Sequence, residues 1–355
     1  MCRGTWPFAA PFVVCRPWVT PLRGGVPNGV DDMRIAIIGA GAIGGWLAVR
    51  LANAGQAVSV LARGAPLAAI KSGSLCLTSG DGTTAASVTA SDRAGDLGPQ
   101  DLIVLAVKGP ALGAAAPLVA TMLGPKTAVM PAMNGVPWWF TTGLAGALEG
   151  KPLHSVDPDG AIAAAIPPER VIGCVVHASC SVAEPGHIVH KTGNRLIVGE
   201  PSGSASPRLL ETCDVLRGAG FDVTASTRIQ RDVWYKLWGN MTMNPISALT
   251  GATADRILDD PLVAEFALAI MAEAAEVGRR IGCPIAESGE ERMKVTRKLG
   301  VFKTSMLQDA EAGRPLEIDA LLAAPREIAG KVGVATPHMD ALHGLIRLFA
   351  ATIDR

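Results

Sequence analysis

The stretch that most limits the fold starts at Arg34. RIAIIG (34–39) is an apolar, strand-length run, GAIGGWLAVRLANAG (41–55) has helical character, and VSVLAR (58–63) is a second strand. A strand, glycine turn, helix and strand within about 30 residues make a βαβ unit, which commits the chain to a parallel sheet. Gly39-Ala40-Gly41-Ala42-Ile43-Gly44 fits G-x-G-x-x-G at the strand-to-helix junction. There the first glycine makes the turn, the second lets backbone approach a pyrophosphate, and the third lets helix pack on strand. The free N–H groups and positive dipole end of the helix suit phosphates. Gly39, Gly41, Ala42, Ile43 and Gly44 are therefore the candidate dinucleotide-binding residues.

Sites that prefer NAD carry an acidic residue about 20 positions further on, at the end of the second strand. Arg63 stands there instead. A guanidinium can take a 2′-phosphate through charge-assisted hydrogen bonds, so NADP(H) is the expected cofactor. The alternative is a solvated arginine at a strand end.

Later strands read DLIVLAVK (101–108) and TAVMPAMN (127–134), nearly continuous apolar runs of the kind a sheet covered on both faces requires. Ligands of such sheets sit beyond the carboxyl ends of the strands, which makes Lys108 and Asn134 candidates. Each also has a bland reading, Lys108 as the point where a strand reaches water and Asn134, before Gly135, as a turn residue. VIGCVVHAS (171–179), HIVHKT (187–192) and NRLIVGE (194–200) predict short strands separated by turns at EPG and TGN, giving the sheet an antiparallel edge. Beyond Thr227 the pattern is helical, with 264–282 amphipathic and stopped by Gly282 and Pro284.

The 355 residues have room for roughly two domains at about 150 residues each. The predicted fold is α/β: a nucleotide-binding Rossmann-type doubly wound sheet over 33–226, then a mostly helical substrate domain over 227–355. Residues 1–32, with five prolines and no helical or alternating period, are read as a start assigned too far upstream or a disordered leader. Lys plus Arg equal Asp plus Glu at 32 each, which favours neither nucleic acid nor an anionic membrane as partner. Apolar runs stay short of the roughly 18 residues that raise a membrane span. The seven scattered cysteines include no C-x-x-C, so no metal site or disulfide framework is suggested and a reducing cytoplasm fits.

WYKLWGNMTMNPISALTG (234–251) is a largely apolar stretch broken by one series, Lys236, Asn240 and Asn244, spaced four apart. Four-residue steps advance a helix by about 400°, so the three share one face over roughly 12 Å, and Ser247 falls on the same stripe. Trp234, Leu237, Trp238, Met241 and Leu249 are expected to pack inward. A solvated face is normally stocked with charges; one lysine with two amides and a hydroxyl suits a substrate cleft better. Pro245 lacks the N–H that would bond Met241, which predicts a kink.

With GAGAIGG, Lys108, the Asn134-Gly135 pair, KLWGNMTMNPISALTG and SMLQDAEAGRPLEID (305–319) in order, the chain resembles the ketopantoate reductases (2-dehydropantoate 2-reductases) from Met33 nearly to its C-terminus. The resemblance implies that NADPH reduces the C2 carbonyl of a 2-oxo acid, most readily ketopantoate to pantoate, with Lys236 as general acid. It implies that Asn240, Asn244 and Ser305 hold the substrate's carboxylate and hydroxyl. It further implies that Glu317, at the cofactor and substrate end of the cleft, is catalytic with Lys236 and also contacts cofactor, that Lys108 and Asn134 contact cofactor, with Asn134 at the substrate as well, and that Arg63 takes the 2′-phosphate. A homodimer stays open as an assembly. Two departures concern the substrate: Ala254 stands where an asparagine is often found, with Asp255 or Thr253 as replacements, and the stretch between Asn134 and His177 is long. The latter carries PWWF (137–140), which either re-lines the pocket or forms a hydrophobic plug or dimer contact. The rival readings are a reductase of a bulkier 2-oxo acid and a non-catalytic NADP(H)-binding sensor.

Overall fold

The computed structural model describes residues 33–298 and 300–353, so the reading of residues 1–32 as a leader lies outside the described residues. The opening unit is β1 (Arg34–Ile38), α1 (Ala42–Asn53) and β2 (Ala57–Leu61), with Ile38 beside Leu61 in parallel register. There follow α2 (Gly64–Ser72), β3 (Leu75–Ser79), β4 (Gly82–Ala86), β5 (Thr89–Ser91), β6 (Gln100–Leu105), α3 (Leu112–Ala120) and β7 (Leu123–Pro131). The parallel sheet runs β5-β2-β1-β6-β7. Ile35, Ile37, Ile103 and Val104 are fully buried, as the unbroken apolar strands require.

After the short α4 (Ala161–Ala165) come β8 (Gly173–Glu184), β9 (His187–Gly199), α5 (Pro207–Gly218) and β10 (Asp222–Ala225). The antiparallel edge is thus a second, mixed sheet. β8 pairs antiparallel along one side of β9, while β3 and β10 pair parallel with the two ends of its other side, and β4 flanks β3. A bridge between Val129 and Val171 and the bond from Ile172 N–H to the Val129 carbonyl join it to β7. EPG makes the predicted hairpin turn, with Gly186 at φ +81°. TGN does not: HIVHKT and NRLIVGE are one strand, and Gly193, at φ +78°, sits where the β8–β9 register slips rather than ending the pairing. Helix α1 is enclosed between the two sheets, and its Trp46 stacks on His190 at 5.4 Å.

The rest is helical: α6 (Ile229–Thr250), α7 (Ala254–Asp259), α8 (Pro261–Arg280), α9 (Gly289–Arg297), α10 (Ser305–Glu311), a π-helical turn at Asp319–Ala323, α11 (Ala324–Lys331) and α12 (Pro337–Ile353). Helix α8 shows the local reasons: Asp260 caps it by accepting the Leu262 and Val263 N–H groups, Pro261 opens it, Arg279 and Arg280 lie in the last turn, and Gly282 turns the chain at φ +77°. Helix α6 runs the length of this half against α8, α10, α12 and β8, burying Trp234, Leu237, Trp238 and Met241. Pro245 lies within α6 without ending it.

Candidate active site

The glycine turn has the shape its spacing predicts. Gly39 adopts φ +104°, and its N–H donates to the Leu61 carbonyl at 3.1 Å. A Cβ on Gly44 would lie 2.0 Å from the Gly39 carbonyl oxygen, so only hydrogen lets α1 pack on this turn. Gly41 differs: a Cβ there would meet nothing within 4 Å, which leaves open space at the start of α1. Ala42 and Ile43 begin the helix, whose first turn holds no acidic residue and no side-chain cap. These are the features of a phosphate cradle. Arg63, two residues beyond the Ile38–Leu61 pair, is exposed beside this turn and pairs with no carboxylate among the described residues. The observed residues thus suit a dinucleotide with a 2′-phosphate.

At the carboxyl ends of β6 and β7 the two halves of the molecule meet. Lys108 forms an ion pair with Asp309 of α10, whose carboxylate, only 3% exposed, also accepts Arg314 Nε at 2.9 Å. The next residue's backbone N–H, on Gly109, donates to Glu317 at 3.2 Å. Burial pushes the Glu317 carboxyl upward, and the Gly109 N–H, the Lys108 charge and a hydrogen bond from Asn134 partly offset it. Asn134 faces both ways, because its Oδ1 accepts Lys236 Nζ at 2.8 Å.

Lys236 donates a second hydrogen bond to the Val176 carbonyl at 2.6 Å. Burial pulls its ammonium down to about 8, with Cys174 and Glu317 acting in the opposite sense. Burial also pushes the Cys174 thiol up to about 12. One turn along α6, the Asn240 amide has no hydrogen-bond partner among the described residues. One turn further, Asn244 donates to Ser305 Oγ at 3.4 Å. Lys236, Asn134, Glu317 and Lys108 therefore form a connected group, and Asn240 and Asn244 continue the line along α6 to Ser305 at the start of α10.

Ser247 does not belong to this face. It is fully buried and donates to the Ala252 carbonyl at 2.7 Å, closing the end of α6. Nor does the Ala254 position offer a substitute polar contact: Ala254 is 1% exposed and its N–H is bonded to the Phe302 carbonyl. Trp138 and Trp139 are buried, which rules out PWWF as a dimer contact. They line a cavity of about 240 Å³ that reaches Asn134 and Glu317, and Trp138 donates to the Ile166 carbonyl at 3.1 Å. A narrower gap, sharing Asn134 and Cys174 with this cavity, continues to Lys236. Sequence reasoning missed Asp309, which pairs with Lys108, and Cys174, which lines both the cavity and the gap. Asp309 stood in the quoted SMLQD motif, but its burial depends on residues far away in the chain.

The sequence pattern described as Ketopantoate reductase PanE/ApbA matches residues 35–203, and the pattern described as Ketopantoate reductase PanE/ApbA C terminal matches 228–350. A 2-dehydropantoate 2-reductase from Mesorhizobium japonicum is 44% identical over 90% of this chain and 98% of its own length. The crystal structure of a candidate ketopantoate reductase from Ralstonia solanacearum MolK2 superposes with a TM-score of 0.87 at 57% identity, covering 90% of this chain and 98% of that one. At 20% identity and a TM-score of 0.69, a dimeric ketopantoate reductase from Staphylococcus aureus shares the fold over 90% of this chain and 100% of its own. Two matching patterns that between them cover both the glycine-turn half and the α6 half, in the order the fold places them, mean that the chain belongs to the ketopantoate reductase family.

Proposed function

We propose that the protein reduces 2-dehydropantoate to pantoate, with Lys236 as the acid that protonates the carbonyl oxygen. The observation that carries this reading is the setting of Lys236, an enclosed ammonium lowered to about 8 and fixed by Asn134 and the Val176 carbonyl. An ammonium has three N–H donors, so one is left for substrate. When bound, NADPH supplies the hydride. As negative charge grows on the carbonyl oxygen, Lys236 stabilises it and then transfers its proton, completing the hydroxy acid. Asn240, Asn244 and Ser305 orient the substrate without introducing charge. Glu317 and Asn134 hold the ammonium in place and border the cofactor, while Lys108 and Arg63 serve the cofactor's ribose and phosphate side.

Residues 33–226 act in this reading as the nucleotide-binding unit and 227–355 as the substrate unit, with the cleft between them. A homodimer and a cytoplasmic setting belong to the same proposal; Leu345 and Leu348, 54% and 66% exposed on α12, offer apolar surface for a second copy. The described residues contain no helix long and apolar enough to cross a membrane. Following NADPH absorbance against a panel of 2-oxo acids tests the substrate. Turnover of ketopantoate above the rest supports the proposal, and a tenfold advantage for another 2-oxo acid replaces it with the broader reading. The Trp138 and Trp139 cavity keeps a bulkier 2-oxo acid as the second candidate.

A further inference from the structure

The cavity that reaches Asn134 is larger than the apolar part of ketopantoate, a pair of methyl groups, would fill. At about 240 Å³ it exceeds the ~150 Å³ of an apolar protein cavity that accepts benzene. Interiors normally close such voids by packing. Here the walls are pinned by hydrogen bonds. Trp138 donates to the Ile166 carbonyl, the Glu327 carboxylate of α11 accepts the His154 N–H at 3.0 Å and the Ser155 N–H at 2.8 Å, and the buried Asp157 accepts the Ile162 and Ala163 N–H groups at 2.9 Å. Ser155, Val156, Pro158 and Ile162, which line the cavity, all come from the long stretch between Asn134 and His177.

The chemistry of the lining decides which part of a substrate can enter. Among the lining residues there is no lysine, arginine or histidine, and the acidic ones are Glu317 and Asp319. A carboxylate placed there would meet carboxyl groups and no cation, so its desolvation would go uncompensated. Met133, Val136, Trp138, Val156, Ile162 and Leu316 offer apolar surface instead.

The cavity also lies in a useful direction along α6. Val233 lines both the cavity and the narrower gap at Lys236, and it precedes Lys236 by three residues, a side-chain neighbour at about 5–6 Å on a helix. Asn240 and Asn244 follow Lys236 toward the other end of the helix. A 2-oxo acid with its carbonyl oxygen at Lys236 therefore has neutral donors on one side and an apolar chamber on the other. We propose that this chamber receives the apolar substituent on C3 of the substrate and makes the protein prefer 2-oxo acids with an uncharged tail, up to the bulk of a phenyl ring, over those with a second carboxylate, an inference that rests on the reduction proposed above.

The test uses the full chain with NADPH and 2-oxo acids of growing tail, namely pyruvate, 2-oxobutanoate and 2-oxopentanoate, together with 2-oxoglutarate and its uncharged isostere 5-methyl-2-oxohexanoate. Each methylene that enters the chamber should raise kcat/KM about fourfold, and the isostere should exceed 2-oxoglutarate by about tenfold or more. Val156→Phe, which adds bulk from the cavity wall, should flatten the series. Gly113→Leu should do the same, because Gly113 lines the cavity and a Cβ there would meet nothing within 4 Å. Each slope is a ratio within one preparation, so loss of folded protein does not alter it. A flat series in wild type, equal use of 2-oxoglutarate and its isostere, or an unchanged slope in both variants overturns the assignment. So does a Val156→Phe that raises KM for NADPH rather than for the longer acids, which would give the chamber to the cofactor. Wild type that reduces none of the acids, ketopantoate included, sinks the reduction itself. Calorimetric binding of pyruvate and 2-oxopentanoate to the NADP⁺-loaded protein, which cannot reduce them, then still decides the chamber: tighter 2-oxopentanoate supports it and equal affinity overturns it.

Discussion

Lys236 Nζ and Asn134 Oδ1 lie 2.8 Å apart, a hydrogen bond that ties α6 to the carboxyl end of β7 across 102 residues of sequence. The bond fixes a proton donor at the seam between the two halves of the molecule. Lys236→Ala should cut turnover about 10²–10⁴-fold with the circular-dichroism spectrum unchanged. A loss under threefold would remove the residue from the role of acid.

The pH profile follows from the same group. Reduction needs the protonated ammonium, which burial brings down to about 8, so activity should be flat near neutrality and fall about tenfold per pH unit above that value. The reverse reaction, which needs the neutral amine, should rise through the same inflection. The Glu317 charge holds the Lys236 value up, so Glu317→Gln should move the inflection to lower pH. An inflection in Glu317→Gln at or above the wild-type position contradicts the coupling.

Arg63, exposed beside the glycine turn and without a carboxylate partner among the described residues, gives a cofactor test. Arg63→Asp should weaken NADPH and shift preference toward NADH, because the guanidinium that matches a 2′-phosphate becomes a repelling carboxylate. Unchanged discrimination in steady-state kinetics would show that Arg63 is a solvated surface residue.

The two inner glycines of the turn should respond in opposite ways. Gly44→Ala places a methyl 2.0 Å from the Gly39 carbonyl oxygen and should lower the melting temperature outright. Gly41→Ala meets nothing in the protein, so its melting temperature should hold while NADPH binding weakens at least tenfold, as the methyl occupies the space left for phosphate. Calorimetry and thermal melts separate the two; equal effects on both quantities would mean the turn does not receive a pyrophosphate.

Asp309 joins Lys108 to Arg314 across the cleft, and Asp309→Asn should loosen that junction. Both cations keep about half of their side chains in water, at 43% and 53%, so the expected loss is only about 1–2 kcal/mol after solvent screening. Denaturant unfolding measures it, and a stability unchanged within error would assign the pair to the surface class that contributes nothing.

Much of the nucleotide half was legible because its signals are local. Gly39, Gly41 and Gly44 act through backbone geometry within six residues, and strand and helix periods announce themselves over a single element. The four-residue spacing of Lys236, Asn240 and Asn244 was equally readable, since helical geometry alone puts them on one face. Ser247 shows where that reasoning stops: it has the right phase but lies at the end of α6, where a free carbonyl at Ala252 takes its hydroxyl. The TGN segment shows the same limit for strands, because the pairing of β9 with β8 outweighs a local turn preference.

The sequence alone determined the βαβ unit, the phosphate turn and the polar stripe of α6, all of which depend on neighbours within one or two helical turns. Only the tertiary structure decided the electrostatics. The lowered ammonium of Lys236, the burial of Asp309 and Glu317 and the apolar filling at Ala254 each depend on atoms brought together from distant segments. Desolvation and charge pairing are set by those surroundings, which no local spacing encodes.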